Sequence, residues 1–110
     1  TLFPYTTLFR SLCIEDTGES NYSLDRMLTQ LKLSGKLDNI VGVVVGQFSK
    51  MSQGADKSVE EIIASKFADQ DIPIMYGVNV GHDQPNNAIC LGRRVRLTVD
   101  ANNASLKYVD

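Results

Sequence analysis

The segment Ile40–Phe48 constrains the fold more than any other part of the sequence. It reads IVGVVVGQF, which is nearly all apolar and rich in β-branched residues. Strands that are buried on both faces have this composition, and they are typical of parallel sheets covered by helices. The segment therefore predicts a central strand of an α/β domain. Gly42 and Gly46 within it indicate places where another backbone comes close.

The segments on either side of this strand predict one further strand and two helices. Leu12–Ile14 is a short apolar run that ends in acidic and turn-forming residues, which indicates a strand. Leu24–Ser34 carries apolar residues at helical spacing, and Ser23 before it is a favoured N-cap residue. Ser58 and Glu61 have the spacing of a capping box, which predicts the start of a second helix that ends near residue 70.

The last third of the sequence predicts short strands separated by turns. Pro73–Val78 and Ala88–Leu91 are short apolar segments, and Val95–Val99 with Leu106–Val109 flanks a polar turn, which is typical of a hairpin. The predicted order is β-α-β-α-β followed by antiparallel strands. This order indicates an α/β domain with a mixed sheet, two helices and a C-terminal hairpin.

Size and charge exclude several classes of function. A chain of 110 residues corresponds to one domain. Eleven basic and thirteen acidic residues give a net charge of -2, which offers no electrostatic footprint for nucleic acid or an anionic membrane. No apolar run approaches the roughly 20 residues of a membrane-spanning helix. Two cysteines far apart, Cys13 and Cys90, do not make a disulfide framework, and they fit a reducing compartment better than a secreted protein.

The segment Thr1–Ser11 is predicted not to belong to the domain. It reads TLFPYTTLFRS, and it resembles the in-frame translation of a common sequencing adapter. Its basic residue follows the apolar part, which is the reverse of a signal peptide. The sequence also does not begin with Met. We therefore expect the domain to comprise residues 12–110 and to be a piece of a longer protein.

Two polar features that follow predicted strands are the candidate site. Glu15 and Asp16 come directly after the first strand, and His82, the only histidine, follows another strand in a Gly81-His82 turn. In open α/β sheets, sites gather beyond the carboxyl ends of strands, so a carboxylate and an imidazole can meet there. Ordinary roles as a loop cap and a solvated turn residue are favoured on these residues alone.

Motifs for other chemistry are absent from the sequence. It contains no G-x-S-x-G nucleophile elbow, no phosphate-binding loop and no zinc-ligand spacing. A hard-cation site formed by Asp16, Asp25 and Asp83 stays open, although nothing in the sequence groups these residues. The basic cluster Arg93, Arg94 and Arg96 is interpreted as a solvated face.

Several short blocks occur in an order and spacing typical of one family. They are Ile14-Glu15-Asp16, Tyr22, Asp25–Leu31, Gly35, Leu37, Val41–Phe48, Ile72-Pro73-Ile74, Gly77, Gly81-His82, Asn86 and Leu91-Gly92. In this order they resemble the C-terminal domain of the LD-carboxypeptidases, serine peptidases that include muramoyltetrapeptide carboxypeptidases and microcin C immunity peptidases. The resemblance spans nearly all of residues 12–110, and it implies a swivelling β/β/α-type domain.

The resemblance also implies a Ser-His-Glu triad, without a metal or another cofactor. The family's Glu and His match Glu15 and His82, so His82 is expected to act as general base and general acid. The nucleophilic Ser and the oxyanion-hole amides of the family belong to an N-terminal domain, which is missing here. The chain alone is therefore expected to be inactive. Asp83 stands where the family often has Gly, and its carboxylate is expected to alter the electrostatic field at His82.

The implied role is hydrolysis of the bond to a terminal D-amino acid in muropeptides, during cytoplasmic peptidoglycan recycling. The expected partners are the missing N-terminal domain, the substrate and a second copy in a homodimer, with no nucleic acid and no membrane. One alternative is a peptidase that gives immunity to microcin C-type peptide conjugates. The other is a stand-alone, non-catalytic binding module.

Overall fold

The structure is a computed structural model that describes residues 10–52 and 57–109. Within these residues, three strands alternate with two helices and two further strands follow. They are β1 (Ser11–Thr17), α1 (Asn21–Leu33), β2 (Gly42–Ser49), α2 (Val59–Lys66), β3 (Ile74–Met75), β4 (Val95–Val99) and β5 (Ala104–Tyr108). The predicted α/β class, the two helices and the C-terminal hairpin are confirmed.

The described strands divide into two sheets. β2 lies between β1 and β3 and pairs in parallel with both. β4 and β5 form a separate antiparallel sheet in the register Val95 opposite Tyr108. The parallel and antiparallel parts of the predicted mixed sheet are therefore packed against each other without sharing a ladder. The tip of the Leu97 side chain lies against the backbone at Gly42, where it connects the hairpin to β2.

The core lies between the helices and one face of β2. The residues of β2 from Gly42 to Gly46 are all buried, as the apolar sequence predicts. Val43 and Val45 pack with both helices on one face, whereas Val44 on the other face lines a cavity together with the segment before β4. The remaining core residues come from the helices and the turn after α1: Leu24, Leu28, Leu37, Ile62, Ile63 and Phe67.

The first helix begins three residues earlier than predicted. Ser20, not Ser23, is the N-cap, because Ser20 is in an extended conformation and its side chain accepts a hydrogen bond from the backbone N–H of Ser23. The predicted capping box of the second helix is confirmed by reciprocal hydrogen bonds between Ser58 and Glu61.

The predicted strand Ala88–Leu91 is wrong, because this segment is irregular. Its physical reason is visible at Cys90, whose backbone N–H donates to the side-chain hydroxyl of Tyr108 at 2.7 Å instead of entering a ladder. At the other end of the chain, β1 is longer than predicted. It begins at Ser11 and continues through Glu15 and Asp16 to Thr17.

Candidate active site

Glu15 and His82 meet at the surface, at the carboxyl-terminal part of the parallel sheet. The Nδ1 atom of His82 lies 2.8 Å from the Oε2 atom of Glu15, although 67 residues separate them in sequence. The side chain of His82 is 55% exposed and that of Glu15 is 32% exposed. An exposed pair of this kind contributes at most about 1 kcal/mol to stability. Its geometry therefore has more bearing on chemistry than on folding.

A bulge in β2 lies opposite Glu15. Ile14 pairs with Val45, and the next pairing joins Asp16 to Phe48, so that Gly46 and Gln47 both stand opposite Glu15. Bulges are frequent beside active sites, because they change the direction of a side chain. Gly46 has no side chain to displace Glu15: a Cβ atom there would lie 3.2 Å from the Cβ atom of Glu15.

The chain after β3 passes close to this bulge and brings His82 to Glu15. The backbone N–H of Gln47 donates to the carbonyl of Val80 at 2.8 Å. Gly46 makes this approach possible, since a Cβ atom there would lie 2.4 Å from the Val80 carbonyl oxygen. Gly81 has φ +148°, a conformation that residues with a side chain rarely adopt, and it lies against both Gln47 and Glu15.

Gln47 is the residue at this site that the sequence interpretation missed. Its side-chain Nε2 donates to the carbonyl of Pro85 at 2.7 Å, and its Oε1 accepts from the backbone N–H of Asp83 at 2.8 Å. Both partners belong to the loop that carries His82. The one signal in the sequence was a long polar side chain in the otherwise apolar run of β2.

The hydrogen bond between Glu15 and His82 determines where the imidazole carries its proton. An ionised carboxylate only accepts hydrogen bonds, so Nδ1 of His82 must donate to it. The neutral ring then carries its proton on Nδ1, and Nε2 has a free lone pair. A histidine held in this tautomer by a carboxylate can take a proton from a nucleophile at Nε2, and the carboxylate stabilises the imidazolium that forms.

Four serines of the described residues have hydrogen-bonding or pairing partners other than His82. Ser20 caps α1, and Ser23 is its hydrogen-bond partner. The Ser49 hydroxyl donates to Thr17 at 2.7 Å, and Ser52 forms an isolated bridge with Ser20. Cys13 on β1 is also a poor nucleophile: burial, and secondly the charge of Glu15, raise the pKa of its thiol.

The three aspartates of the open cation hypothesis do not come together. Asp16 accepts from the backbone N–H of Thr17, and Asp25 on α1 is paired with Lys66. Asp83 lies in the His82 loop, where its backbone N–H contacts Gln47. Within residues 10–52 and 57–109, no three His, Cys, Asp or Glu side chains are grouped as metal ligands would be.

A family model described as the LD-carboxypeptidase C-terminal domain matches residues 4–97. The chain belongs to the LD-carboxypeptidase family. A putative carboxypeptidase from Synechocystis is 35% identical over 97 residues, which cover 86% of this chain and 32% of that protein. A probable murein peptide carboxypeptidase from Bacillus subtilis is 29% identical over 110 residues, covering 97% and 34%. The microcin C7 self-immunity protein from Escherichia coli is 24% identical over 100 residues, covering 90% and 28%.

A solved structure of an LD-carboxypeptidase has the same fold. It is the muramoyltetrapeptide carboxypeptidase from Oxalobacter formigenes, with a TM-score of 0.77 and 27% sequence identity, covering 91% of this chain and 36% of that chain. The chain therefore spans about a third of the length of the relatives it matches.

The assignment of Thr1–Ser11 to an adapter stays a prediction. Residues 1–9 lie outside the described residues. Arg10 and Ser11 are described, and they are part of the fold: the Arg10 carbonyl accepts from the backbone N–H of Val41, and Ser11 pairs with Gly42.

Among the described residues, neither helix has the length and apolarity needed to cross a membrane.

Proposed function

We propose that Glu15 and His82 are two members of the Ser-His-Glu triad of a serine-type LD-carboxypeptidase. The observation that supports this most is the 2.8 Å contact between Nδ1 of His82 and Oε2 of Glu15. It joins the two positions that match the family's Glu and His blocks. It also leaves Nε2 as the nitrogen that a serine hydroxyl would approach.

In this proposal, Nε2 of His82 takes the proton of the serine hydroxyl as the oxygen attacks the substrate carbonyl. The same nitrogen then gives the proton to the nitrogen of the departing D-amino acid. Glu15 holds the ring in the required tautomer and balances its positive charge. Water releases the acyl group in the second half-reaction, again with His82 as base.

The nucleophile and the oxyanion hole of this proposal lie in a domain that precedes residue 12 in the complete enzyme. The match to a family model described as a C-terminal domain, together with coverage of about a third of each relative, supports this arrangement. The chain of 110 residues alone should release no amino acid, because Glu15 and His82 have no hydroxyl to activate. We further propose a cytoplasmic enzyme of peptidoglycan recycling that acts as a homodimer.

The proposed substrate is a muropeptide with a terminal D-amino acid. Similarity to a murein peptide carboxypeptidase and to a muramoyltetrapeptide carboxypeptidase supports this substrate. A peptide conjugate of the microcin C type is the second candidate, supported by the similarity to a microcin C7 self-immunity protein.

The test is release of the terminal amino acid by the complete enzyme. Purified enzyme is incubated with a muropeptide tetrapeptide or with an aminoacyl-nucleotide conjugate, and the free amino acid is measured by mass spectrometry. His82→Ala should abolish release from the preferred substrate. Lys107→Ala on the exposed face of β5 is the matched control and should keep wild-type activity. Substantial release by the His82→Ala enzyme would refute the triad assignment and favour a non-catalytic role for this domain.

A further inference from the structure

The loop that carries His82 is held in place almost entirely by hydrogen bonds. Residues 82–88 are all exposed, so apolar packing contributes little to their position. The two ends of the loop are joined by the Asn87 backbone N–H, which donates to the Asn79 carbonyl at 2.6 Å. Inside the loop, the backbone N–H of Gly81 donates to the Asn86 side chain at 3.2 Å. These bonds close the loop on itself. The start of the loop is connected to β2 by the Gln47 backbone N–H, which donates to the Val80 carbonyl at 2.8 Å, but neither this bond nor the closing bonds connect the residues after His82 to the sheet that carries Glu15.

Gln47 makes that connection with both ends of its side-chain amide. One end binds the backbone of Asp83, directly after His82, and the other binds the backbone of Pro85. Gln47 stands opposite Glu15 at the bulge of β2, so the same stretch of sheet supports both members of the pair. Its Cβ and Oε1 atoms would each lie 2.9 Å from a Cβ atom at Gly81, which shows how closely the loop packs on it.

We propose that Gln47 is a positioning residue for His82: it fixes the loop so that the imidazole stays on Glu15 in the Nδ1–H tautomer. This inference rests on the proposed function for its effect on catalysis, but the positioning itself is a property of the chain. The Gln47 side-chain amide is bonded to the loop backbone, whereas Nδ1 of the His82 ring is bonded to Glu15. It acts through the backbone of the two loop residues it holds.

The two contacts use both groups of the glutamine amide. The Asp83 contact needs an acceptor, and the Pro85 contact needs a donor. A glutamate at position 47 has no donor, an arginine or lysine has no acceptor, and a methionine of similar length has neither. An asparagine has both groups, but it is one methylene shorter, so it cannot span the same two partners from the same backbone.

The first experiment measures the His82 tautomer in the 110-residue chain. His82 is the only histidine in the sequence, so long-range ¹H–¹⁵N correlation spectra report its two ring nitrogens without overlap. The wild-type neutral ring should show a protonated Nδ1 and an unprotonated Nε2. Gln47→Met should convert this pattern into a mixture of tautomers, while the backbone amide spectrum outside residues 79–88 stays native.

Gln70→Met is the matched control. Gln70 also uses its amide to bind a backbone carbonyl distant in sequence, that of Leu37 at 3.2 Å, but it lies outside the His82 loop. Its substitution should leave the His82 pattern unchanged. Where Gln47→Met does not give a folded chain, Gln47→Asn takes its place, and it should shift the tautomers in the same direction. An unchanged tautomer pattern in a folded Gln47 variant would overturn the inference.

The second experiment measures kinetics in the complete enzyme. Gln47→Met should lower kcat about 10- to 100-fold and leave KM close to the wild-type value, since misplacing a catalytic group mainly affects the chemical step. A kcat within twofold of wild type would contradict the positioning role. His82→Ala is measured beside it. Full activity of His82→Ala refutes the proposed function, and the tautomer experiment then still decides whether Gln47 holds the loop.

Discussion

Gly46 is the residue where both the fold and the candidate site require the absence of a side chain. Any side chain there would enter the space of the Val80 carbonyl and press on Glu15. The sequence indicated a close backbone approach at this position, and the structure identifies the approaching backbone as the irregular segment after β3 that leads to His82. The glycine thus allows two distant segments to bring their functional side chains together.

We predict that Gly46→Ala destabilises the chain by about 1–3 kcal/mol, the usual cost of overpacking. The new Cβ would lie 2.4 Å from a backbone oxygen that is itself hydrogen-bonded to Gln47, so relief requires movement of the backbone. Urea unfolding of the two chains gives the difference. Gly42→Ala in the same strand is the control, because its nearest neighbour at 3.0 Å is the end of the flexible Leu97 side chain. Equal losses in the two variants would contradict this account.

The residues of the pair could be predicted from the sequence, but the residue that holds the loop could not. Glu15 and His82 each follow an apolar run of the sequence, and the family resemblance implied their roles. Gln47 contacts the loop through a two-ended amide, and these contacts exist only once residues 79–87 have folded back on β2. No local pattern encodes a contact of that kind.

At the scale of elements, the start of α1 differs from the sequence prediction. The sequence indicated Ser23 as the first N-cap, since apolar periodicity begins at Leu24. The helix instead begins at Asn21, directly after the N-cap Ser20. Asn21 is buried, and its side chain donates to the Lys57 carbonyl at 3.1 Å. A tertiary contact of a polar residue thus extended the helix beyond its apolar pattern.

This correction predicts different costs for two serine substitutions. Ser20→Ala removes the side-chain acceptor of the Ser23 backbone N–H and should lower the free energy of unfolding by about 1 kcal/mol. Ser23→Ala leaves that backbone N–H capped and should cost only a few tenths of a kcal/mol. Urea unfolding followed by circular dichroism measures both. A larger loss for Ser23→Ala would restore the sequence-based assignment.

The contact between the two helices should make stability depend on pH. A hydrogen bond from Lys66, and secondly its charge and that of Lys57, hold the pKa of Asp25 below its ordinary value of 3.8. Since the native pKa is lowered, the ionised form stabilises the fold. The contribution is full above pH 3.8 and disappears as the pH falls through the lowered native value.

We therefore predict that Asp25→Asn costs less than about 1 kcal/mol at pH 7, because the side chain of Asp25 is 46% exposed. The difference from wild type should shrink as the pH falls below 3.8. Urea unfolding at a series of pH values measures it, and about 1 M salt at pH 7 should also reduce it. A difference that grows toward acid pH would contradict the assigned sign.

At the scale of the whole molecule, the fold is organised around β2. It carries the core on one face, pairs with β1 and β3 on its edges, and its bulge supports both sides of the candidate site. The α/β class followed from this one apolar strand. The separation of the hairpin into its own sheet could not be predicted in this way. Which strand edges pair depends on tertiary packing, and hydrophobic patterns do not describe that packing. The site itself is open: His82 is more than half exposed, on a chain that spans about a third of its relatives.

The measurement that tests the central claim most directly is a double-mutant cycle on Glu15 and His82 in the complete enzyme. Glu15→Gln should lower kcat about 10³- to 10⁴-fold, and His82→Ala by at least as much. If Glu15 acts through His82, the double variant should be no slower than His82→Ala alone, within about threefold. Losses that multiply in the double variant, or a Glu15→Gln enzyme with near-normal kcat, would contradict the account.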